Sequence, residues 1–295
     1  MKRLFLTLSI GIFLFLAIDF FFLPVFRGSL IISPSINFGI FTIRWYGVIL
    51  AAAILAGFFL ARKYSWTFGI SEKEIDDLSF WLVLTGILGA RIYYVLFSFS
   101  YYLNAPSEII KIWHGGLSIY GGLIAGFGFL FFYTLRRAYS FYQLSDLIVL
   151  ALPISQAIGR LGNFVNLEAF GLPTNLPWKM FVDQAHRPFE YIGYSFFHPA
   201  FLYEILLNLF VFVALFFLKT RFKNGILTYI YLALYSFGRF FIESIRLDSF
   251  FVLGYRADQI VALIIFVFSI FMIVRISKLN FTPLEIGRNK NTSNY

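Results

Sequence analysis

The sequence predicts an all-α integral membrane protein with an outward-facing polar cavity, and three observations carry that prediction. Hydrophobic residues make up 60% of the 295 residues and charged residues only 13%. The apolar residues fall in blocks near the ~20 residues that a helix needs to span a bilayer. Charged residues punctuate the ends of those blocks, where helices enter and leave a membrane. The formal charge of +9 is therefore spread along the chain. A nucleic-acid footprint would gather the bases in one patch, so membrane lipids are the expected surroundings and no nucleic-acid partner is expected.

The first block, Leu4 to Phe26, follows Met1-Lys2-Arg3. It is longer than the about 7–15 residues of a signal-peptide core, and no small-x-small cleavage site follows. Residues 1–27 are thus expected to form an additional, uncleaved N-terminal helix that starts inside. Further helices are predicted over 43–61, 78–98, 116–135, 144–165, 199–218, 225–245 and 257–276. They define a membrane domain over 28–279 and a polar cytoplasmic tail over 280–295.

Strict alternation of these helices makes an orientation test. Lys2/Arg3, Arg62/Lys63/Lys73, Arg136/Arg137, Lys219/Arg221/Lys223 and Arg275/Lys278/Arg288/Lys290 then share one side. About 14 of the 24 basic residues lie there, against about six opposite, which marks it as cytoplasmic. The opposite side holds the connection from Asn166 to Phe197, with Pro173, Pro177, Trp178 and Pro188. That composition suits an ordered lid or interfacial element better than a linker.

Cysteine is absent, which excludes disulfides, thiolate metal sites and a cysteine nucleophile. Any thiol in the chemistry must come from a substrate. Three histidines (His114, His186, His198) are a thin basis for a metal centre, and no metal or cofactor is expected.

The polar residues inside the apolar blocks gather at one depth. Arg44 and Tyr46 open one helix from outside, Arg91 lies in the outer half of the next, and Ser118 and Tyr120 sit near the outer end of a third. His198, Tyr203 and Glu204 open a later helix. Tyr235, Arg239 and Glu243 recur at i, i+4 and i+8, hence on one helical face. The densest stretch is Gly159-Arg160-Leu161-Gly162-Asn163-Phe164-Val165-Asn166-Leu167-Glu168-Ala169-Phe170-Gly171. It sets an arginine, two asparagines and a glutamate at the end of an apolar helix. Charge at that depth costs at least a few kcal/mol on insertion scales, so it needs a partner or a task. The convergence predicts a cavity open to the outer leaflet, with arginines for a phosphate and Glu168, Glu204 and Glu243 to hold them. Blander roles compete for several residues. Arg44 and Arg91 could snorkel, Arg239 and Glu243 could be a structural i,i+4 pair, and the Gly115-Gly116 and Gly121-Gly122 pairs could serve helix packing.

Gly159–Gly171 resembles the signature of the prolipoprotein diacylglyceryl transferase family. So do Ile43-Arg44-Trp45-Tyr46-Gly47, Gly89-Ala90-Arg91-Ile92, Gly115-Gly116-Leu117-Ser118-Ile119-Tyr120-Gly121-Gly122, His198-Pro199-Ala200-Phe201-Leu202-Tyr203-Glu204 and Gly238-Arg239-Phe240-Phe241-Ile242-Glu243. They occur in the family order over roughly 36–276. The resemblance implies seven family transmembrane helices, to which the N-terminal helix is an addition. It also implies a location in the bacterial cytoplasmic (inner) membrane, with the active site facing the periplasm or cell exterior. The implied reaction moves the diacylglyceryl group of phosphatidylglycerol to the lipobox cysteine of a prolipoprotein signal peptide and releases glycerol phosphate.

On that resemblance Arg160 and Arg239 serve the phosphate and its leaving-group charge. Asn163, Asn166 and Glu168 orient the headgroup or Arg160, while Glu243 positions Arg239. Tyr46 and Tyr235 hydrogen-bond the headgroup, and Arg91, Gly171 and Glu204 complete the binding site. Tyr120 stands where some family members carry a histidine viewed as a base, and a tyrosine with a pKa near 10 is a poor base at neutral pH. A transporter or flippase for an anionic lipid is the rival from another class, as is a non-catalytic lipid binder. Transport would need polar residues in the cytoplasmic halves of the helices, and those halves read as nearly unbroken Phe, Leu, Ile and Val.

Overall fold

The computed structural model describes residues 18–39 and 42–278. The start of the additional helix and the tail from residue 279 lie outside the described residues. A π-helical turn, Ile18–Phe22, runs into α1 (Leu23–Arg27), which Gly28 ends in the left-handed conformation (φ 76°). The seven helices expected between 43 and 276 are all present. They are α2 (Trp45–Tyr64), α3 (Glu72–Phe97), α5 (Ile119–Leu135), α6 (Phe141–Val165), α7 (Ala200–Leu218), α8 (Ile226–Ile245) and α9 (Ala257–Lys278), with a short α4 (Phe99–Asn104) after α3.

Five of these segments are long and apolar enough to cross a membrane by length and composition: Trp45–Phe68, Glu72–Phe97, Phe141–Val165, Ala200–Leu218 and Ala257–Lys278. The chain is a multi-pass membrane protein. Helix α5 has 17 residues, about 25 Å at 1.5 Å per residue. Helix α8 is long enough but carries Tyr231, Tyr235, Ser236, Arg239 and Glu243 among its apolar residues.

The described residues form two compact units. One comprises residues 18–57, Leu152–Phe216 and 229–278, and the other Phe58–Ala151 and Phe217–Thr228. In the second unit α3 and α5 pack through small residues. A Cβ on Gly89 would stand 2.7 Å from the Gly121 carbonyl oxygen, so the two backbones approach as only glycine allows. Helix α3 starts on an N-cap, with the Ser71 hydroxyl accepting from the Glu74 amide at 3.3 Å. Asp146, buried on α6, accepts from the Gly225 and Thr228 amides at 2.6 and 2.8 Å. It thereby satisfies amides left unpaired at the start of α8, the helix that carries Arg239 and Glu243.

In the first unit the long connection is ordered. Its strands β3 (Met180–Phe181) and β4 (Phe196–Phe197) pair antiparallel. Met180, Val182 and Phe197 join Phe164, Phe170, Phe201 and Val25 in one buried cluster, with Phe22 and Phe26 packed against it. Phe22 and Phe201 stack on Phe164 at ring-centroid distances of 5.5 and 5.1 Å. The end of the N-terminal segment is therefore seated on this cluster. Two further ribbons, β1 (Ser35–Asn37) with β2 (Thr42–Arg44) and β5 (Phe251–Val252) with β6 (Tyr255–Arg256), precede α2 and α9. The all-α expectation holds for the membrane helices, and the three ribbons are confined to their connections.

Candidate active site

The centre of the site is a carboxylate. Glu204, one turn into α7, is fully buried and takes three arginines, Arg160 from α6, Arg239 from α8 and Arg246 from the residue that follows α8. Arg239 Nη1 donates to its Oε1 at 2.9 Å and Arg246 Nη1 donates to the same oxygen at 2.7 Å. Arg160 Nη2 stands 2.5 Å from Oε2, an ion pair without hydrogen-bond alignment. A buried carboxylate is costly to desolvate unless paired, and one facing three guanidiniums is paired in excess.

The network spreads on both sides. Glu243, also buried, pairs with Arg239 at 2.6 Å and accepts from the Ser249 hydroxyl. Arg239 further donates to Asp258 at 3.0 Å, and Arg246 is hydrogen-bonded to Asp248. Burial opposes the positive charge of Arg246, but Asp248, Glu204 and Glu243 outweigh it and raise the pKa above the usual arginine range. Asp248 is correspondingly held below the usual carboxylate value, the Arg246 hydrogen bonds overcoming its burial. Arg256 donates to the Glu243 and Arg246 carbonyls at 2.8 and 2.5 Å. A cation there satisfies orphan carbonyls at the C-terminal end of α8.

On the other side Arg160 Nη1 donates to Asn163 Oδ1 at 3.0 Å, and Asn163 Nδ2 donates to Glu168 Oε1 at 2.9 Å. Asn166 reaches the same Glu168 oxygen at 3.4 Å. Glu168 thus meets Arg160 through Asn163, not by a direct pair. The turn that brings it there holds two non-glycine residues at positive φ, Leu167 (51°) and Ala169 (56°). Such conformations cost of order 1–3 kcal/mol each and cluster at functional sites.

The signature glycines divide by role. A Cβ on Gly162 would come 2.7 Å from the Tyr46 ring, so this glycine lets Tyr46 lie on α6. A Cβ on Gly171 would come 2.8 Å from the Ile245 carbonyl oxygen and 3.0 Å from His198 Cβ. Gly171 instead donates its amide to the His198 carbonyl at 2.8 Å, and Leu172 donates to the Ile245 carbonyl at 2.8 Å. The end of the signature is thereby stitched to the end of α8, next to Arg246. Gly159 has open space where its Cβ would be.

Of the residues predicted from sequence, Arg160, Asn163, Asn166, Glu168, Glu204, Arg239 and Glu243 form one connected network. Tyr46 adjoins it over Gly162, and Tyr235 stacks on Tyr231 at 5.8 Å within α8. Arg91 and Tyr120 belong to the second unit. Arg91 is buried, and its guanidinium donates to the carbonyls of Glu108, Ile109, Gly115 and Gly116 at 2.5–2.9 Å. The positive φ of Gly115 (97°) and Gly116 (79°) turns two of those carbonyls toward it. Arg91 organises its loop, which the sequence had offered to a phosphate or to snorkelling. Tyr120, at the start of α5, is 59% exposed and its ring lies 6.4 Å from that of Tyr93. Arg246, Asp248, Ser249, Arg256 and Asp258 were missed. The one signal was the charge density just after α8, where basic residues at a helix end are ordinary.

The family model for prolipoprotein diacylglyceryl transferase matches residues 34–275. The chain belongs to the prolipoprotein diacylglyceryl transferase family. Among similar proteins, the phosphatidylglycerol–prolipoprotein diacylglyceryl transferase of Fervidobacterium nodosum is 44% identical over 90% of this chain and 92% of its own length. That of Thermotoga petrophila is 43% identical over 94% and 98%, and that of Synechococcus elongatus is 41% identical over 81% and 85%. The arginine–carboxylate network therefore lies inside the region that defines this transferase family.

Proposed function

We propose that this transferase moves the diacylglyceryl group of phosphatidylglycerol to the lipobox cysteine thiol of a prolipoprotein signal peptide. The new bond joins the cysteine sulfur to the terminal glyceryl carbon. The bond from that carbon to the phosphate oxygen breaks, and glycerol phosphate leaves with the electron pair. The thiol loses its proton as the thioether forms. Its pKa near 8.5 means that modest help suffices to ionise it, so a strong base is not required.

The observation that carries this proposal is the convergence of Arg160, Arg239 and Arg246 on Glu204. Three guanidiniums with different exposures (side chains 27%, 15% and 10% exposed) give a gradient from an available cation to a locked one. Arg160 is the least locked. It takes the phosphate and, with Arg239, the charge that develops on the leaving oxygen. Donors preset for that charge supply most of the catalysis in reactions of this kind. Asn163, Asn166 and Glu168 orient Arg160, Glu243 positions Arg239, and Tyr46 and Tyr235 serve the headgroup. The asymmetric spread of basic residues supports a site facing away from the cytoplasm in the bacterial cytoplasmic membrane.

The test uses purified protein in detergent with phosphatidylglycerol and a lipobox peptide, following glycerol phosphate release and peptide mass. A diacylglyceryl adduct that depends on the peptide cysteine is expected. Lipid binding without adduct, under conditions where a family member turns over, would replace this proposal with a binding or transport role.

A further inference from the structure

Beside the arginine network, and entirely within the first unit, lies an apolar groove of about 300 Å³. Its lining includes Phe21, Phe22, Trp45, Ile49, Leu161 and Phe164, all aromatic or aliphatic. On α6 the residues alternate by face. Arg160 and Asn163 point into the polar network, while Leu161 and Phe164, spaced i,i+3, line the groove. On α2 the same division recurs, with Trp45 and Ile49 (i,i+4) in the groove and Tyr46 lying over Gly162. The polar site and the groove are thus two faces of the same helical turns.

That pairing selects the occupant. An apolar stretch of peptide would use the groove but bring no anion to the exposed part of Arg160, whose carboxylate partner is Glu204. A free phosphate would use Arg160 but leave the groove empty. An amphiphile with an anionic head and a hydrocarbon tail uses both. Phe21 and Phe22 precede the family-matched region, which begins at residue 34. One wall of the groove is therefore supplied by the N-terminal segment, held in place where Phe22 stacks on Phe164.

We propose that this groove is an acyl-chain seat for the anionic lipid, and that Phe21 and Phe22 set how much chain it accepts. The proposal rests on the transferase activity above. It makes the N-terminal segment a determinant of lipid selectivity as well as an anchor.

The experiment combines mapping with chain-length kinetics. Wild-type protein is irradiated with phosphatidylglycerol carrying a photoreactive acyl chain, and the labelled residues are identified by mass spectrometry. In parallel, wild type and Ile49→Trp, which fills the groove, are assayed with short-chain and long-chain phosphatidylglycerol. Labelling is expected on the groove residues of α2, α6 and the Phe21-Phe22 pair. Ile49→Trp is expected to lower kcat/KM for the long-chain lipid at least tenfold while the short-chain value changes little.

Turnover by wild type with labels elsewhere would overturn the acyl seat and leave the transferase activity standing. An unchanged chain-length dependence in a folded Ile49→Trp protein would do the same, and a raised KM for the peptide alone would assign the groove to the peptide. Absence of any turnover, with groove labelling intact, would instead count against the transferase activity. If Ile49→Trp does not fold, the wild-type labelling pattern still decides.

Discussion

Glu204 Oε2 and Arg160 Nη2 stand 2.5 Å apart although 44 positions separate the two residues in the chain. The pair joins the helix that ends in the signature to the helix that follows the ordered connection. It is also the least aligned of the three arginine contacts at Glu204, and the one with the most exposed guanidinium.

Replacing Arg160 tests whether that availability is catalytic. Arg160→Ala should reduce kcat/KM for phosphatidylglycerol by roughly 10²–10³-fold, the usual effect of removing one preset donor to a developing oxyanion. Arg160→Lys should recover little, because an ammonium cannot reproduce the fork that holds Asn163 and a phosphate together. The melting temperature should change little for either. Equal turnover in wild type and Arg160→Ala would remove Arg160 from the mechanism.

Glu204 should behave differently. Glu204→Gln leaves three guanidiniums around a neutral amide, and breaking buried pairs in this way typically costs about 3–5 kcal/mol. A large drop in thermal stability in detergent is expected together with loss of turnover. A Glu204→Gln protein that melts like wild type would show that Glu243, Asp248 and Asp258 suffice to hold the arginines.

Tyr120→Phe removes a hydroxyl whose ring is largely exposed. A loss of tenfold or less in kcat is expected, since the substrate thiol needs only modest help to ionise. A loss matching that of Arg160→Ala would identify the Tyr120 hydroxyl as the group that takes the thiol proton.

His198 gives a pH-dependent prediction. Burial holds its pKa below the ordinary 6.5, and its Nδ1 lies 3.0 Å from the Tyr203 hydroxyl. The unfolded chain therefore takes up this proton at higher pH than the folded one. The contribution to stability is complete above about pH 6.5 and falls away as pH drops through 6.5 toward the folded value. Melting temperatures measured from pH 7.5 to 5 should decline for wild type more steeply than for His198→Gln. Parallel curves would place the acid sensitivity elsewhere.

Much of this arrangement was legible in the sequence. The seven helices could be read because each is an apolar block closed by charge. Arg160 stood out because no ordinary helix end collects an arginine, two asparagines and a glutamate. What escaped depends on groups that sequence does not pair. The acceptors of Arg91 are backbone carbonyls 17–25 positions later, and any residue type could have supplied them. Arg246 sits just past a helix end, where a basic residue needs no special explanation. The β5–β6 turn also lacks the usual Asn-Gly signal. It uses Leu253 (φ 51°) and Gly254 (φ 83°), a positive-φ pair that suits a tight hairpin but is unusual with leucine first.

The crowding of carboxylates around the arginines bears on turnover as well as on assembly. Glu204, Glu243, Asp248 and Asp258 are already in contact with Arg239 and Arg246, so on the proposed reaction a phosphate drawn from Arg160 toward Arg239 would have to compete with a resident carboxylate. The site would then behave as an ion exchanger, because a carboxylate that gave way would stay tethered nearby.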